Sequence, residues 1–148
     1  MSALARSNYV VSRAGWTSTR FGEVVEEILK PFGSRVAIDG RDVLLPPELC
    51  FDMGLVLHEL ATNSTKYGTL GRDDGDISVK WALTDNSEGS RTFWFDWDDP
   101  LTTTTSSGSG DGFGSKLMSL LIQRKWNGGM TVVHDSRFRI TFEIPVAR

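Results

Sequence analysis

Several features that often reveal the class of a protein are scarce in this sequence. Only one cysteine, Cys50, occurs among the 148 residues, so an internal disulfide is excluded, and a small buried apolar side chain is its expected role. The two histidines, His58 and His134, lack the spacing of a zinc site. No apolar run reaches membrane-spanning length, and the start lacks the apolar core of a secretory signal. Both absences predict a cytoplasmic protein.

Charge of one sign is not concentrated anywhere in the chain. The 16 basic and 19 acidic residues are interspersed and leave a net charge of −3, so neither nucleic acid nor a membrane surface is an expected partner. What the sequence does have is the length and the balance of one globular domain, with 39% hydrophobic and 24% charged residues.

The hydrophobic pattern predicts an α+β protein. Helices are predicted near 1–15, 21–31, 46–68 and 113–122, and strands near 36–38, 43–45, 77–84, 92–97, 130–134 and 138–144. Asp39 and Gly40 lie in the turn of the first predicted hairpin, which pairs 36–38 with 43–45. Hairpin pairs with helices between them favour a two-layer sandwich, in which helices cover one face of a mixed, mostly antiparallel sheet.

The helix predicted over 46–68 carries the most informative stretch, from residue 58 to residue 68. Glu59 and Asn63 are four residues apart, and Lys66 and Tyr67 follow, so these four side chains share one face. The opposite face has the spacing of a helix packed on a core, at Met53, Val56, Leu57, Leu60 and Ser64. One helix therefore serves both the core and a candidate site.

The polar groups of this helix suit a site for a metal and a nucleotide. Asn63 offers a neutral oxygen to Mg²⁺, and Lys66 can offset phosphate charge. Glu59 can accept a proton or orient a metal-bound water, and Tyr67 can give a flat face or a hydroxyl to a nucleotide. The alternative is an amphipathic surface helix whose polar side is merely solvated.

A polar, low-complexity segment runs from about residue 100 to residue 111. It is either a surface loop of no consequence or a mobile lid that closes over a ligand. The glycines of Gly112-Phe113-Gly114 follow it at the start of a predicted helix, where bare backbone N–H groups and the helix dipole favour a phosphate. Together with the polar helix, this glycine pair favours the interpretation of the segment as a lid.

These motifs resemble those of a known family. Residues 58–63 and 66–68 are similar to the asparagine box of the HWE subfamily of bacterial sensor histidine kinases, and 112–117 resembles its second glycine box. Residues 97–99 fall where the subfamily has its Trp-x-Glu. The resemblance runs over nearly the whole chain. It implies the Bergerat-type ATP-binding fold shared by gyrase, Hsp90-type chaperones, histidine kinases and mismatch-repair ATPases.

The resemblance implies that the cofactors are ATP and Mg²⁺. Glu59, with its neighbour His58, would form the catalytic part, with Glu59 as the polar or basic group beside the γ-phosphate. Because His58 belongs to the asparagine box, it is not the expected phosphate acceptor. Asn63 would hold Mg²⁺, and Lys66 would bind phosphates.

The nucleotide-binding roles are also implied by the resemblance. The backbone around Phe113, at Gly112 and Gly114, would contact the phosphates, and Tyr67 would lie near the base or ribose. Asp99 would accept a hydrogen bond from the adenine amino group. The usual glycine pair after the acid is replaced here by residues 100–102, which begin with proline.

The resemblance also implies partners outside this chain. Residues 1–16 resemble the tail of the last helix of a histidine-containing dimerisation domain, and 17–148 resemble the ATP-binding domain. The expected function is to donate the γ-phosphate of ATP to a histidine on that dimerisation domain, upstream of a response regulator. Without that domain the chain is not expected to autophosphorylate.

Two other functions remain open for the same sandwich. The loss of the glycine pair favours a degenerate, non-enzymatic docking module for a response regulator. A stand-alone serine kinase of the anti-sigma-factor type uses the same fold and is about this size, but the HWE-type motifs speak against it.

Overall fold

The computed structural model describes residues 19–72, 74–87, 89–100 and 113–147, in which a five-stranded sheet is covered by helices on one face. The strands are β1 (Thr19–Arg20), β2 (Val36–Asp39), β3 (Leu44–Leu45), β4 (Ile77–Asp85), β5 (Arg91–Asp99), β6 (Gly129–His134) and β7 (Phe138–Val146). The helices are α1 (Phe21–Leu29), α2 (Pro47–Tyr67) and α3 (Phe113–Met118), with 3₁₀ turns at Lys30–Arg35 and Thr69–Gly71.

The large sheet is mixed and mostly antiparallel, as predicted. Its strand order is β2-β4-β5-β7-β6, and only the β2–β4 pair is parallel. Alternate residues of the central strands face the helices and are buried, at Ile77, Val79, Trp81, Phe93, Phe95, Trp97, Ile140, Phe142 and Ile144. The predicted α+β sandwich is therefore confirmed.

The prediction that 36–38 and 43–45 form a hairpin is wrong. β2 pairs with β4, and β3 pairs antiparallel with β1 in a separate two-stranded sheet. The indole of Trp81 is the physical reason, because it packs against Gly40, where a Cβ would collide with the ring, and its Nε1 donates to the carbonyl of Arg41 over 2.7 Å. These contacts hold the connection across β4, so Leu45 enters the core instead of pairing with β2.

The last predicted helix is present, but its second half is not an α-helix. α3 continues as a wider π-helical segment, Ser119–Lys125, in place of a uniform α-helix to residue 122. The side chains at the end of this segment bind α2, as described below. A π-helical turn rotates those side chains relative to an α-helix, and such turns are frequent at functional sites.

Two predicted segments fall outside the described residues. These are the helical remnant at 1–16 and the lid, of which only Pro100 is described. Within the described part, no helix combines the length and the apolar character needed to cross a membrane.

Candidate functional site

Helix α2 has one buried face and one polar face. Gly68 ends the helix, and its N–H donates to the carbonyl of Ser64 over 2.8 Å. Side chains on the predicted core face are at most 3% exposed, at Met53, Val56, Leu57, Leu60 and Ser64. Cys50 is also buried, and the loss of solvation raises the pKa of its thiol to about 12. The core role predicted for this face and for Cys50 is confirmed.

The polar face carries the residues predicted to bind a nucleotide. Glu59 and Asn63 are partly buried, whereas His58, Lys66 and Tyr67 are exposed. Because α2 is regular over this stretch, residues four apart lie one above the other, about 6 Å along the axis. Glu59 and Asn63 therefore present an acid and an amide side by side, with a cation and a phenol at the end of the helix.

The donor set on α2 suits a metal shared with a ligand. In the described part of the chain, no three histidine, cysteine, aspartate or glutamate side chains cluster as a metal site. Mg²⁺ commonly keeps several waters and takes few protein ligands beside substrate phosphates. The amide oxygen of Asn63, one turn from the Glu59 carboxylate, fits that limited role.

Asp99 lies at the end of α2, although the two are far apart in sequence. It is the last residue of β5 and is 2% exposed. Its Oδ1 accepts hydrogen bonds from Thr69, from the backbone N over 2.9 Å and from Oγ1. A Cβ at Gly68 would collide with the same carboxylate. The structure thus brings Asp99 to the turn that follows Lys66 and Tyr67.

Sequence reasoning missed two residues in this part of the site, Thr69 and Arg35. Thr69 is fully buried and directly follows the helix end, a place where a hydroxyl often finds a local partner. Arg35 ends the first 3₁₀ turn and donates from Nη2 to the carbonyl of Thr69 over 2.8 Å. Arg35 is distant in sequence from Thr69, so no local pattern indicates this contact.

The second glycine motif is described in part. The structure places Phe113 and Gly114 in the first turn of α3, and Gly112 lies outside the described residues. α3 contacts α2, so the helix that begins at this motif lies against the helix that carries Asn63. The phosphate role predicted for these residues stays a prediction.

A polar anchor joins the π-helical segment to α2. Asp52 on α2 accepts from Lys125 Nζ over 2.8 Å and from the indole Nε1 of Trp126 over 2.7 Å. Lys125 also pairs with Glu48 over 2.9 Å. The hydrogen bond with Asp52 raises the pKa of the Lys125 ammonium, whereas burial lowers it by a smaller amount. Since the Asp52 side chain is 4% exposed, this buried anchor fixes the end of the π-helical segment on α2.

Strand alternation separates Asp99 from its acidic neighbours. Asp96 lies on the face away from the helices, where its Oδ1 accepts from Arg139 Nε and Thr141 Oγ1, both over 2.8 Å. The carboxylate raises the pKa of the Arg139 guanidinium. Asp98 pairs with an arginine on that same face. Of the three acids near the end of β5, Asp99 alone faces the α2 side.

The chain is similar in sequence to several curated histidine kinases. No family model matches the chain. A curated relative, the blue-light-activated histidine kinase of Rhizobium johnstonii, is 28% identical over 149 residues, covering 99% of this chain and 42% of the relative. The chain spans between a quarter and about two fifths of the length of such curated relatives, since the match to the Brucella anthropi protein covers 25% of it.

Solved structures share the fold at lower identity. The histidine kinase domain of an Erythrobacter litoralis blue-light activated histidine kinase has a TM-score of 0.65 and 17% identity, covering 99% of this chain and 76% of that one. Full-length ShkA in complex with AMPPNP has a TM-score of 0.54 and 15% identity, covering 97% of this chain and 35% of that one. In sequence the chain is therefore similar to histidine kinases, and in fold it is similar to histidine kinase domains, in agreement with the resemblance of its motifs, while the HWE subfamily stays a prediction.

Proposed function

We propose that this chain is the ATP-binding domain of a sensor histidine kinase, which binds Mg-ATP and donates its γ-phosphate to a histidine on a separate dimerisation domain. The observation that carries the proposal is the position of buried Asp99 at the end of α2, where it contacts Thr69 just beyond the helix that carries Asn63. The acceptor proposed for a base then lies at the end of the helix whose polar face carries the amide proposed for a metal. The AMPPNP complex of the ShkA neighbour supports the same ligand.

The base end of the proposed site is built from Asp99, Thr69 and Tyr67. Thr69 occupies one oxygen of the Asp99 carboxylate, so the other oxygen is the acceptor proposed for an exocyclic amine. The exposed ring of Tyr67 can pack against the base or the ribose. Gly68 between them leaves the space that a side chain would fill at the carboxylate.

The phosphate end of the proposed site lies on the polar face of α2. Bound Mg²⁺, held through Asn63, would neutralise phosphate charge, and the Lys66 ammonium would add to that effect. Gly112 and Gly114, on either side of Phe113, are proposed to offer backbone N–H groups from the start of α3, which contacts α2.

Glu59 is the proposed catalytic residue of this domain. It is partly buried one turn before Asn63, so its carboxylate can take or orient the proton of the attacking imidazole. His58, in the same turn, is exposed and is proposed to assist there. Phosphoryl transfer otherwise requires positioning and charge stabilisation from the protein.

The acceptor histidine and the response regulator are proposed to belong to other domains. The chain spans less than half the length of its curated relatives, which are named as whole kinases. The domain is proposed to work in the cytoplasm, where ATP is available, and to bind nucleotide without autophosphorylating alone. The second candidate, a docking module that binds no ATP, is favoured by Pro100 in the place of the usual glycine pair.

Transfer in trans tests the proposed function. The chain is mixed with the dimerisation domain of its parent kinase and γ-labelled ATP, and the label is expected on histidine, as an acid-labile phosphoramidate. Glu59→Gln should lower the transfer rate by about a hundredfold or more with little change in nucleotide affinity. Glu48→Gln, an exposed acid on the same helix, is the matched control. Acid-stable phosphoserine on the partner would instead indicate the serine kinase.

A further inference from the structure

We propose that Arg35 is a positioning residue for the base end of the site and acts through Thr69 on the carboxylate of Asp99. The proposal rests on the proposed function, because it takes Asp99 as the acceptor for the adenine amino group. It adds a residue that no motif includes and that lies outside α2, α3 and β5.

Arg35 is hydrogen-bonded to the loop that follows α2. Its Nη2 donates to the carbonyls of Thr69 over 2.8 Å, Asp74 over 3.2 Å and Gly75 over 3.0 Å. Its Nε also donates to the carbonyl of Gly75, over 3.2 Å. A guanidinium presents its donors in a rigid planar fork, so these contacts fix the loop relative to the start of β2 in a way a lysine cannot reproduce.

Thr69 in turn is hydrogen-bonded to Asp99. The carbonyl of Thr69 accepts from Arg35, while its N–H and Oγ1 donate to Asp99 Oδ1. Thr69 is 0% exposed and Asp99 is 2% exposed, so water does not readily replace these contacts. A shift of the Thr69 peptide must therefore turn the carboxylate of Asp99.

A turn of the Asp99 carboxylate would misalign its hydrogen bond to a bound base. A hydrogen bond to an exocyclic amine depends on direction and weakens steeply when it is misaligned. The effect is confined to bases that carry the amine. Inosine diphosphate has a carbonyl oxygen at that place, which cannot donate to Asp99, whereas its phosphates and ribose match those of ADP. The preference for ADP over IDP thus reports the position of the carboxylate.

The test is calorimetric titration of the folded chain with Mg-ADP and with Mg-IDP. Arg35→Gln is expected to lower ADP affinity by about tenfold and to leave IDP affinity within about twofold. The ratio of ADP affinity to IDP affinity should therefore fall by most of that roughly tenfold change. Arg35→Lys should restore only part of it. Arg20→Gln is the matched control, because Arg20 also bonds a distant loop, at Asp42, away from Asp99.

A second variant covers the case in which Arg35→Gln does not fold. Thr69→Val keeps the shape of the side chain and removes the hydroxyl that bonds Asp99, and it should lower the ADP preference as well. Where both single variants fold, the double variant should lose less ADP preference than the two single losses added together, because both act through one carboxylate.

The outcomes separate the inference from the function on which it rests. Wild-type protein that binds ADP, with an unchanged preference in Arg35→Gln, overturns the inference alone. Equal losses of ADP and IDP affinity also overturn it, because they indicate a purely structural role. If folded wild-type protein binds neither nucleotide, the proposed function fails, and the inference fails with it.

Discussion

Replacing Asp52 with alanine should destabilise the domain strongly, because this buried carboxylate joins α2 to the π-helical segment. It accepts from Lys125 and from Trp126, and its side chain is 4% exposed. A hydrogen bond to a charged group contributes roughly 1.5–3 kcal/mol net. Lys125 is 39% exposed and keeps Glu48 as a partner, so its share is discounted for solvent screening. We expect a loss of about 2–4 kcal/mol in the free energy of unfolding.

Urea unfolding followed by tryptophan fluorescence at pH 7 measures this loss. Glu48→Ala is the matched control, since it removes the other partner of Lys125 at a side chain that is 68% exposed, and it should cost less than about 1 kcal/mol. A free energy of unfolding for Asp52→Ala within about 0.5 kcal/mol of the wild type, the usual range for surface changes, would contradict the anchoring role of Asp52. Equal losses in the two variants would refute it too.

The same anchor predicts a dependence on pH. The hydrogen bond between Lys125 and Asp52 raises the pKa of Lys125 in the folded state. The contribution of this pair to stability is therefore complete below the ordinary lysine pKa of about 10.4. It is lost as the pH rises through the folded value. The stability difference between the wild type and Asp52→Ala should therefore be flat from about pH 7 to 9 and shrink above about pH 10.4. A difference that grows in alkali would contradict this.

Three further predictions concern single residues. Cys50, whose pKa burial raises to about 12, should not react with Ellman's reagent at pH 8 while the chain is folded, and fast labelling without denaturant would contradict its burial. Gly68→Ala should lower Mg-ADP affinity by about tenfold or more by displacing Asp99, whereas Gly129→Ala, where a Cβ meets no atom, should not; equal affinities in calorimetry would contradict the steric argument. Asp96→Asn should cost about 1–2 kcal/mol in urea unfolding and leave nucleotide affinity unchanged, since it faces away from α2; a large affinity loss would count against that placement.

Periodic elements could be predicted from the sequence, and the pairing of short ones could not. The alternation in β4, β5 and β7 and the apolar stripe of α2 each arise from burial on one face. The hydrophobic pattern therefore predicts these elements directly. Two- to four-residue strands carry too little alternation to select a partner. The contact of Trp81 with Gly40, which directs the chain past β4, depends on two residues far apart in sequence.

The candidate site divides in the same way. Glu59, Asn63, Lys66 and Tyr67 could be grouped in advance because helical spacing alone puts them on one face. The approach of Asp99 to the end of α2 depends on sheet register, which brings a strand end next to a helix end. The contacts of Arg35, Thr69 and Asp52 are tertiary, and no local pattern indicates them.

Calorimetric titration of this chain with Mg-ADP, beside Asn63→Ala and the control Asn86→Ala, tests directly whether the domain binds a nucleotide and whether Asn63 holds its metal. Asn86 lies in the turn between β4 and β5, where its amide donates to Ser90 in the turn and to Thr92 in β5. We expect saturable binding by the wild type and by Asn86→Ala, and none by a folded Asn63→Ala. Wild-type affinity in Asn63→Ala would contradict the metal role, and no binding by the folded wild type would favour the docking module.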